Sequence, residues 1–297
     1  MRRTNVPAGR EIAIATGRSW LEPPDDERPL LAELARRSFL CVPAAWDDPA
    51  ADWARFACVV IRSCWDYHLR LAEFEAFLDR LERAGHPVLN PVPLVRWNAR
   101  KSYLLELRDR GVRVPASRVI ARGSGEDAPF DGMGGADSVV VKPLVSASAR
   151  ETHLVTRDGV PGFLPAWRRL VAAGDVLVQE FVPEVRTRGE WSLVFFDGVP
   201  SHAVLKRPAS GDFRVQSEHG GSVAPGEPAA AVRAAAERAL RATPSGAAFA
   251  RVDVVEADEP VLMEVELIEP QLFLNARPGS ERAFADAIER RLEAAGG

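Results

Sequence analysis

Apolar and polar positions in the first third of the chain alternate between two periods. Residues 11–17 (EIAIATG), 39–43 and 57–63 (ACVVIRS) are short apolar runs of the length of buried strands. Between them, residues 28–38 carry helical periodicity after the Pro-rich LEPPDDERP. Residues 71–84 set Leu71, Phe74, Leu78 and Leu81 on one helical stripe, with Gly85 as the stop. Residues 87–90 read as a fourth strand. Strands alternating with helices at this spacing predict a parallel sheet covered on both faces, hence an α/β fold. Ligands of such sheets bind beyond the C-terminal strand ends. Arg62, Ser63, Cys64, Trp65, Asp66 and Tyr67 fall at such an end. An Arg, an Asp and two aromatics there suit a small zwitterion; the alternative is a capped loop around a packed Trp.

In the middle third, residues 91–97 lead into a helix over 98–110, with Asn98 as N-cap and Gly111 as stop. Lys101 falls in its first turn, a poor place for a cation beside the helix dipole, so an anion would share the site. A strand is predicted over 112–121 and a Gly-rich loop over 122–137. Its Gly132–Gly135 neither follows a strand nor opens a helix, so it is no dinucleotide fingerprint. Residues 138–145 (SVVVKPLV) are a buried strand whose Lys142 is expensive unless it meets an anion. Pro143 marks an edge or a strand end. The small residues Ser146, Ala147 and Ser148 offer hydroxyls and backbone N–H groups to phosphate oxygens. Residues 151–156 form a strand of a hairpin-like flap turning at Asp158–Gly159, and 167–173 are helical. Residues 175–182 form another buried strand, followed by Pro183 and Glu184. Its end at Glu180, Phe181 and Val182 suits an adenine ring, with an acid for the ribose; a core strand with polar ends is the blander reading.

In the last third, residues 190–196 and 199–205 form a hairpin about Asp197–Gly198, ended by Lys206 and Arg207. The loop 211–226 carries Arg214, His219 and Gly220–Gly221–Ser222. Cations beside glycines that admit close backbone approach suit phosphoryl transfer. An Ala-rich helix over 229–242 precedes two strands, 251–256 and 261–268, and a helix over 283–295 closes the chain. On the second strand Glu264 and Glu266 point to one face, and Asp253 lies opposite Glu264. Opposed carboxylates about 5 Å apart destabilise a hairpin. A hard divalent cation such as Mg²⁺ would explain them; an edge hairpin with acids facing water is the alternative.

Composition narrows the classes. A chain of 297 residues suggests two or three sub-domains, and 46% hydrophobic with 27% charged residues is globular and soluble. A net charge of −4 without a basic block argues against a nucleic-acid partner. No apolar run reaches the roughly 18–20 residues of a membrane span. The N-terminal MRRTNVPAGR lacks an apolar core and reads as a loose tail rather than a signal peptide. Cys41, Cys58 and Cys64 lie near apolar runs and read as reduced core residues of a cytosolic protein. Of 38 basic residues only Lys101, Lys142 and Lys206 are lysines. Where Arg serves as the general cation, a retained Lys marks a place for a compact ammonium.

The ordered set KSYLLEL, VVVKP, VLVQEFVPE, LKRPASGDFRVQSEHGGS and RVD…MEVE resembles the ATP-grasp superfamily of carboxylate–amine ligases. The glutathione-synthetase and ribosomal-protein-modifying branch is nearest, and the resemblance covers about residues 98–268. RSCWDY, NPVPLVRWNARKSYLL and KPLVSASARETHLV resemble a subgroup that includes cycloserine-forming cyclo-ligases. The resemblance implies an ATP-grasp fold (α/β, α+β) with an N-terminal Rossmann-like domain. Its divisions would be 1–97, a central lid over 98–185, and 186–297 with the metal-binding hairpin. It implies ATP and Mg²⁺ as cofactors and a small amino-acid-like substrate; a homo-oligomer is left open. Lys101 and Lys142 would contact nucleotide phosphates, with Ser146 and Ser148 in the phosphate flap. Glu180, Phe181 and Val182 would be the adenine hinge and Glu184 the ribose acid. Lys206 and Arg207 would sit at the γ-phosphate and acyl phosphate, with Arg214 beside them, and Asp253, Glu264 and Glu266 would bind Mg²⁺. Arg62, Trp65, Asp66, Tyr67, His219 and Gly220 would face the substrate. Two departures stand out: Glu266 replaces the family's usual Asn, and Ser146–Ala147–Ser148–Ala149 replaces a glycine-rich flap.

The implied chemistry is activation of a carboxylate as an acyl phosphate, then attack by nitrogen to form an amide. In a cyclo-ligase the nitrogen belongs to the same molecule, as in closure of O-ureido-D-serine to cycloserine with loss of carbon dioxide and ammonia. No convincing Ser/His/Asp or Cys/His set is present, which fits catalysis by position and charge neutralisation. His219 is read either as a proton shuttle or as a hydrogen-bonded surface residue. An intermolecular amino-acid ligase, a small-molecule kinase on the same fold and a non-catalytic nucleotide sensor share these motifs and stay open.

Overall fold

Ile12, Ala13, Ile14 and Ala15 are all buried, so the strand that carries them must be flanked on both sides. In the computed structural model, which describes residues 11–85, 87–124 and 129–296, that strand is β1 (Glu11–Thr16). The MRRTNVPAGR tail and residues 125–128 of the Gly-rich loop lie outside the described residues. Next come α1 (Arg28–Arg36), β2 (Leu40–Ala45), β3 (Cys58–Ile61), α2 (Leu71–Ala84) and β4 (Val88–Leu89). The strands form a parallel sheet in the order β2-β1-β3-β4. The α2 helix ends where the periodicity placed it, with Gly85 left-handed at φ 71°. Phe74, Phe77, Leu78 and Leu81 bury its apolar stripe.

The predicted helix over 98–110 is two helices, α3 (Val92–Asn98) and α4 (Tyr103–Asp109). Asn98 is therefore no N-cap. Its amide donates to Val265 O at 2.8 Å and accepts from Leu267 N at 2.8 Å, tying α3 to a distant strand. Lys101 sits in the break, where its own N–H donates to Leu144 O at 2.9 Å instead of to a helix carbonyl.

A second sheet follows: β5 (Ser117–Ile120), β6 (Ser138–Pro143), β7 (His153–Thr156), α5 (Val160–Ala173) and β8 (Val176–Glu180). It is antiparallel, in the order β5-β8-β6-β7. The strand predicted over 112–121 is short because Val112 N returns to Leu107 O and Pro115 has no N–H to give.

After a short α6 (Glu184–Thr187), the third sheet is built from β9 (Glu190–Phe196), β10 (Val199–Arg207) and β11 (Ser222–Pro225). It is completed by β12 (Phe249–Val255) and β13 (Val261–Glu266), with α7 (Ala230–Ala242) before them. Its order is β11-β10-β9-β12-β13. Asp197 and Gly198, at φ 49° and 79°, make the β9–β10 turn of the primed kind that matches strand twist. β11 falls within the loop predicted over 211–226, and its four residues are exposed.

The final helix α8 (Ser280–Gly296) joins the first sheet to the third. Its Phe284 stacks on Phe196 at 4.8 Å and meets Phe249 at 5.3 Å, in one cluster with Ile12 and Ile14. No helix among the described residues is long and apolar enough to cross a membrane. Cys41, Cys58 and Cys64 are free thiols, the last two buried.

Gly189 sits between α6 and β9 at φ +81°, and a Cβ there would lie 2.5 Å from Lys206 O. Gly189→Ala combines left-handed strain with a clash against β10 backbone. It is expected to lower unfolding free energy by about 2–3 kcal/mol, read from the urea midpoint.

Candidate active site

The β12–β13 hairpin folds in the predicted register. Asp253 pairs with Glu264 and Arg251 with Glu266, and a bulge follows Asp253. Strand alternation puts these four side chains on one face, and β9 adds Ser192 and Glu190 across from Asp253 and Val255. Each acid is held by cations. Asp253 accepts from Ser192 Oγ at 2.6 Å, Lys206 Nζ at 3.0 Å and Arg251 Nε at 3.1 Å. Lys206 also meets Glu190 at 2.6 Å. Lys101 and Lys142 share one oxygen of Glu264, at 2.7 and 3.2 Å. Arg251 reaches across to Glu266 and is fixed from behind by Gln271 O at 3.2 Å.

All three lysines of the chain thus converge on one cavity of about 330 Å³, in the range of small-molecule sites. Its walls carry Lys101, Lys142, Ser146, Ser148, Lys206, Arg214, Asp253, Glu264 and Glu266. Glu180, Phe181 and Val182 line the side belonging to the second sheet, with Val140, Met263 and Phe213. Trp65 and Tyr67, just past β3, also line the cavity. The small-residue loop is tightly shaped: Ser148 and Ala149 adopt φ 50° and 51°, and Ser146 donates to Pro143 O at 3.2 Å.

Six other residues singled out in the sequence, Arg62, Asp66, Glu184, Arg207, His219 and Gly220, lie off this wall. Arg62 is 2% exposed, donates to Glu27 at 2.9 Å and Pro270 O at 2.8 Å, and packs on Phe249 and Phe284. Asp66 is taken up by Trp46 Nε1 at 2.9 Å and Arg70 at 2.6 Å. Arg207 is exposed because alternation along β10 turns it away from the face of Lys206. Glu184 begins α6, half-buried and outside the lining. His219 contacts Ser148 O at 3.4 Å, and Gly220 caps a turn at φ 80°. Arg214 reaches the cavity while held by Asp212 at 2.8 Å.

Among the cavity residues that escaped the sequence reading are Glu190, Arg251 and Glu269. Arg251 shares the parity of Asp253, a signal that was available. Glu190 becomes relevant only through β9–β12 pairing between distant segments. Glu269 lies beyond the strand, where alternation no longer applies.

Burial and charge drive the ionisable groups apart. Burial alone would raise Glu264, but the Lys101 and Lys142 ammoniums outweigh it and hold the carboxyl well below its usual range. Burial pushes Lys142 down despite Glu264, whereas Lys101 and Lys206 are raised because their carboxylates outweigh burial. Lys142 therefore has most to gain from an arriving polyanion. Burial, then the Glu266 charge, pushes Glu269 up from 4.5 to about 8. The folded chain keeps a proton there that the unfolded chain releases above 4.5, so this group costs stability as pH climbs toward about 8. Glu269→Gln should gain Tm relative to wild type from about pH 5 to about pH 8; a pH-independent difference would refute the raised pKa.

Among the described residues, no group of three Asp, Glu, His or Cys side chains already forms a metal cage. The donor chemistry nevertheless fits a hard divalent ion, since Asp253, Glu264 and Glu266 offer carboxylate oxygens to one cavity.

A lysine-lined cavity between an antiparallel sheet and a carboxylate-bearing hairpin is the arrangement expected of an ATP-grasp ligase. The chain is similar to a RimK domain ATP-grasp protein from Sphaerobacter thermophilus, with a TM-score of 0.66. That pair is 20% identical over 94% of this chain and 99% of that one, a likeness of fold. Residues 12–90 match the family model for the N-terminal domain of D-cycloserine synthetase DcsG. The chain is 32% identical to cycloserine biosynthesis protein DcsG of Streptomyces lavendulae, over 91% of this chain and 95% of that protein. It superposes on the crystal structure of D-cycloserine synthetase DcsG with a TM-score of 0.85, covering 95% of this chain and 99% of that one. It is also 31% identical to the glutathione synthetase of Parasynechococcus marenigrum, over 72% of this chain and 67% of that protein. The chain belongs to the ATP-grasp carbon–nitrogen ligases, in the DcsG family.

Proposed function

We propose that this chain closes the ring of D-cycloserine from O-ureido-D-serine, using ATP. The carboxylate of the substrate takes the γ-phosphoryl group of ATP, giving an acyl phosphate and ADP. The N–H nitrogen bound to the side-chain oxygen then attacks the acyl carbon. The C–N bond forms as phosphate leaves, and the ring is an isoxazolidinone. Water removes the carbamoyl group as carbon dioxide and ammonia. One observation carries the reading: every lysine of a chain otherwise rich in arginine lies on one cavity with the hairpin acids.

Lys101, Lys142 and Lys206 hold and neutralise the transferring phosphates. The strand end Glu180–Val182 with Met263 takes the adenine. Asp253, Glu264 and Glu266 would hold Mg²⁺, which supplies charge to the phosphate oxygens. Glu184 and Arg207 lie off the cavity wall. The three sheets support a division near residues 97 and 185. O-ureido-D-serine, ATP and Mg²⁺ should yield ADP and cycloserine in equal amounts with no added amine. ADP release only on adding a second amine would replace this reading by an intermolecular ligase. Absence of both products would sink it.

A further inference from the structure

The cations on the cavity wall pair off with acids, Arg214 with Asp212, and one acid on the wall is left over. Lys101, Lys142, Lys206 and Arg251 are matched by Glu264, Glu190, Asp253 and Glu266 in the ion pairs above. Glu269 is the remaining acid within the walls, and among the described residues no cationic side chain is in ion-pair contact with it. Glu180 and Glu218, by contrast, lie exposed at the rim. Trp65 Nε1 donates to Glu269 O at 3.0 Å, and Arg62 donates to the next carbonyl, Pro270 O, at 2.8 Å. These two bonds fasten the 269–270 segment to the loop after β3, whose Trp65 and Tyr67 line the cavity. Trp65 is itself set edge-on against Trp20 at 5.3 Å. A fixed acid beside two aromatic walls is the chemistry that receives an ammonium ion, by charge pairing and by cation–π attraction.

We propose that Glu269, with Trp65 and Tyr67, receives the protonated α-amino group of the substrate and so restricts the enzyme to carboxylates bearing a free amine. The inference deepens the ligase reading and rests on it. It makes the substrate's two ends complementary to the cavity: the carboxylate toward the lysines, the ammonium toward Glu269. It also gives Arg62 a positioning role, through Pro270, in place of direct contact.

The test compares O-ureido-D-serine with its desamino analogue, 3-(ureidooxy)propanoate, on wild type and Glu269→Gln. Equilibrium affinity is measured by calorimetry with ADP and Mg²⁺ present, and ADP release is measured with ATP. Wild type should prefer the amine by roughly 100-fold, and Glu269→Gln should lose that preference by weakening the amine alone. The affinity of the variant for ATP and its magnesium dependence should stay within about twofold of wild type. Equal discrimination in both proteins overturns the proposal. So does loss of magnesium-dependent ATP affinity in the variant, which would make Glu269 a metal ligand. If O-ureido-D-serine releases no ADP, the substrate reading fails separately. Glu269 is then judged by the same comparison on the small amino acids that do release ADP, each against its deaminated counterpart. Wild type that releases ADP with none of them, or equally with and without the amine, rejects the role of Glu269.

Discussion

Glu264→Ala is expected to abolish the magnesium dependence of ATP affinity and, at the same time, to destabilise the unliganded protein. One oxygen of Glu264 holds both Lys101 and Lys142. Without it two buried ammoniums face each other and lose the carboxylate in contact with both. Breaking a buried charge pair by removing one partner is strongly destabilising, so the loss should be about 3 kcal/mol. Triphosphate oxygens would then supply the missing anions, and ATP without magnesium should raise Tm more in the variant than in wild type. Calorimetry with and without magnesium, together with urea unfolding, reads both effects. A variant that keeps magnesium-dependent ATP affinity would remove the hairpin from the nucleotide site and with it the assignment of Asp253 and Glu266.

The largest effect away from the cavity is expected at Asn90. This side chain is fully buried. Its Nδ2 donates to Phe249 O at 2.9 Å and Leu267 O at 2.7 Å, and its Oδ1 accepts from Ala248 N at 2.6 Å. It thus stitches the end of β4 to the start of β12 and the end of β13. Asn90→Ala leaves several buried backbone groups without partners, at about 1–3 kcal/mol each. A loss of about 4 kcal/mol is expected, seen as a lower urea midpoint with an unchanged slope. Because the same strands carry Asp253 and Glu264, ATP affinity should fall as well. A loss below about 1 kcal/mol would show that water replaces the amide.

The outcomes at particular residues show what kind of information the sequence held. The hairpin register that sets Asp253 opposite Glu264 was legible because side chains alternate and the turn is short. Lys142 in an apolar strand was legible as a cost awaiting an anion, and its pKa, lowered by burial, expresses that cost. The α2 helix was legible to the residue because its stripe and its Gly85 stop are both local signals. Asn98 was misread as a cap because the carbonyl and amide it serves lie on a strand more than 160 positions away. Arg62 looked like a ligand group, since nothing nearby reveals that Glu27 takes its Nε and Pro270 O its Nη2. Arg207 beside Lys206 looked equivalent to it, though alternation alone separates their faces.

The sequence by itself determined the local elements, the pairing of the acidic hairpin and the chemistry of its three lysines. These follow from period, turn residues and the cost of burying charge, each confined to a few neighbouring positions. Tertiary structure alone decided that the lysines from three separate segments meet the acids of a fourth. It also decided that Glu190 and Glu269 share their cavity, while Arg62 and Asp66 serve as ties. Those outcomes depend on which strands pair and which loops close over them, and long-range packing sets that rather than any local pattern.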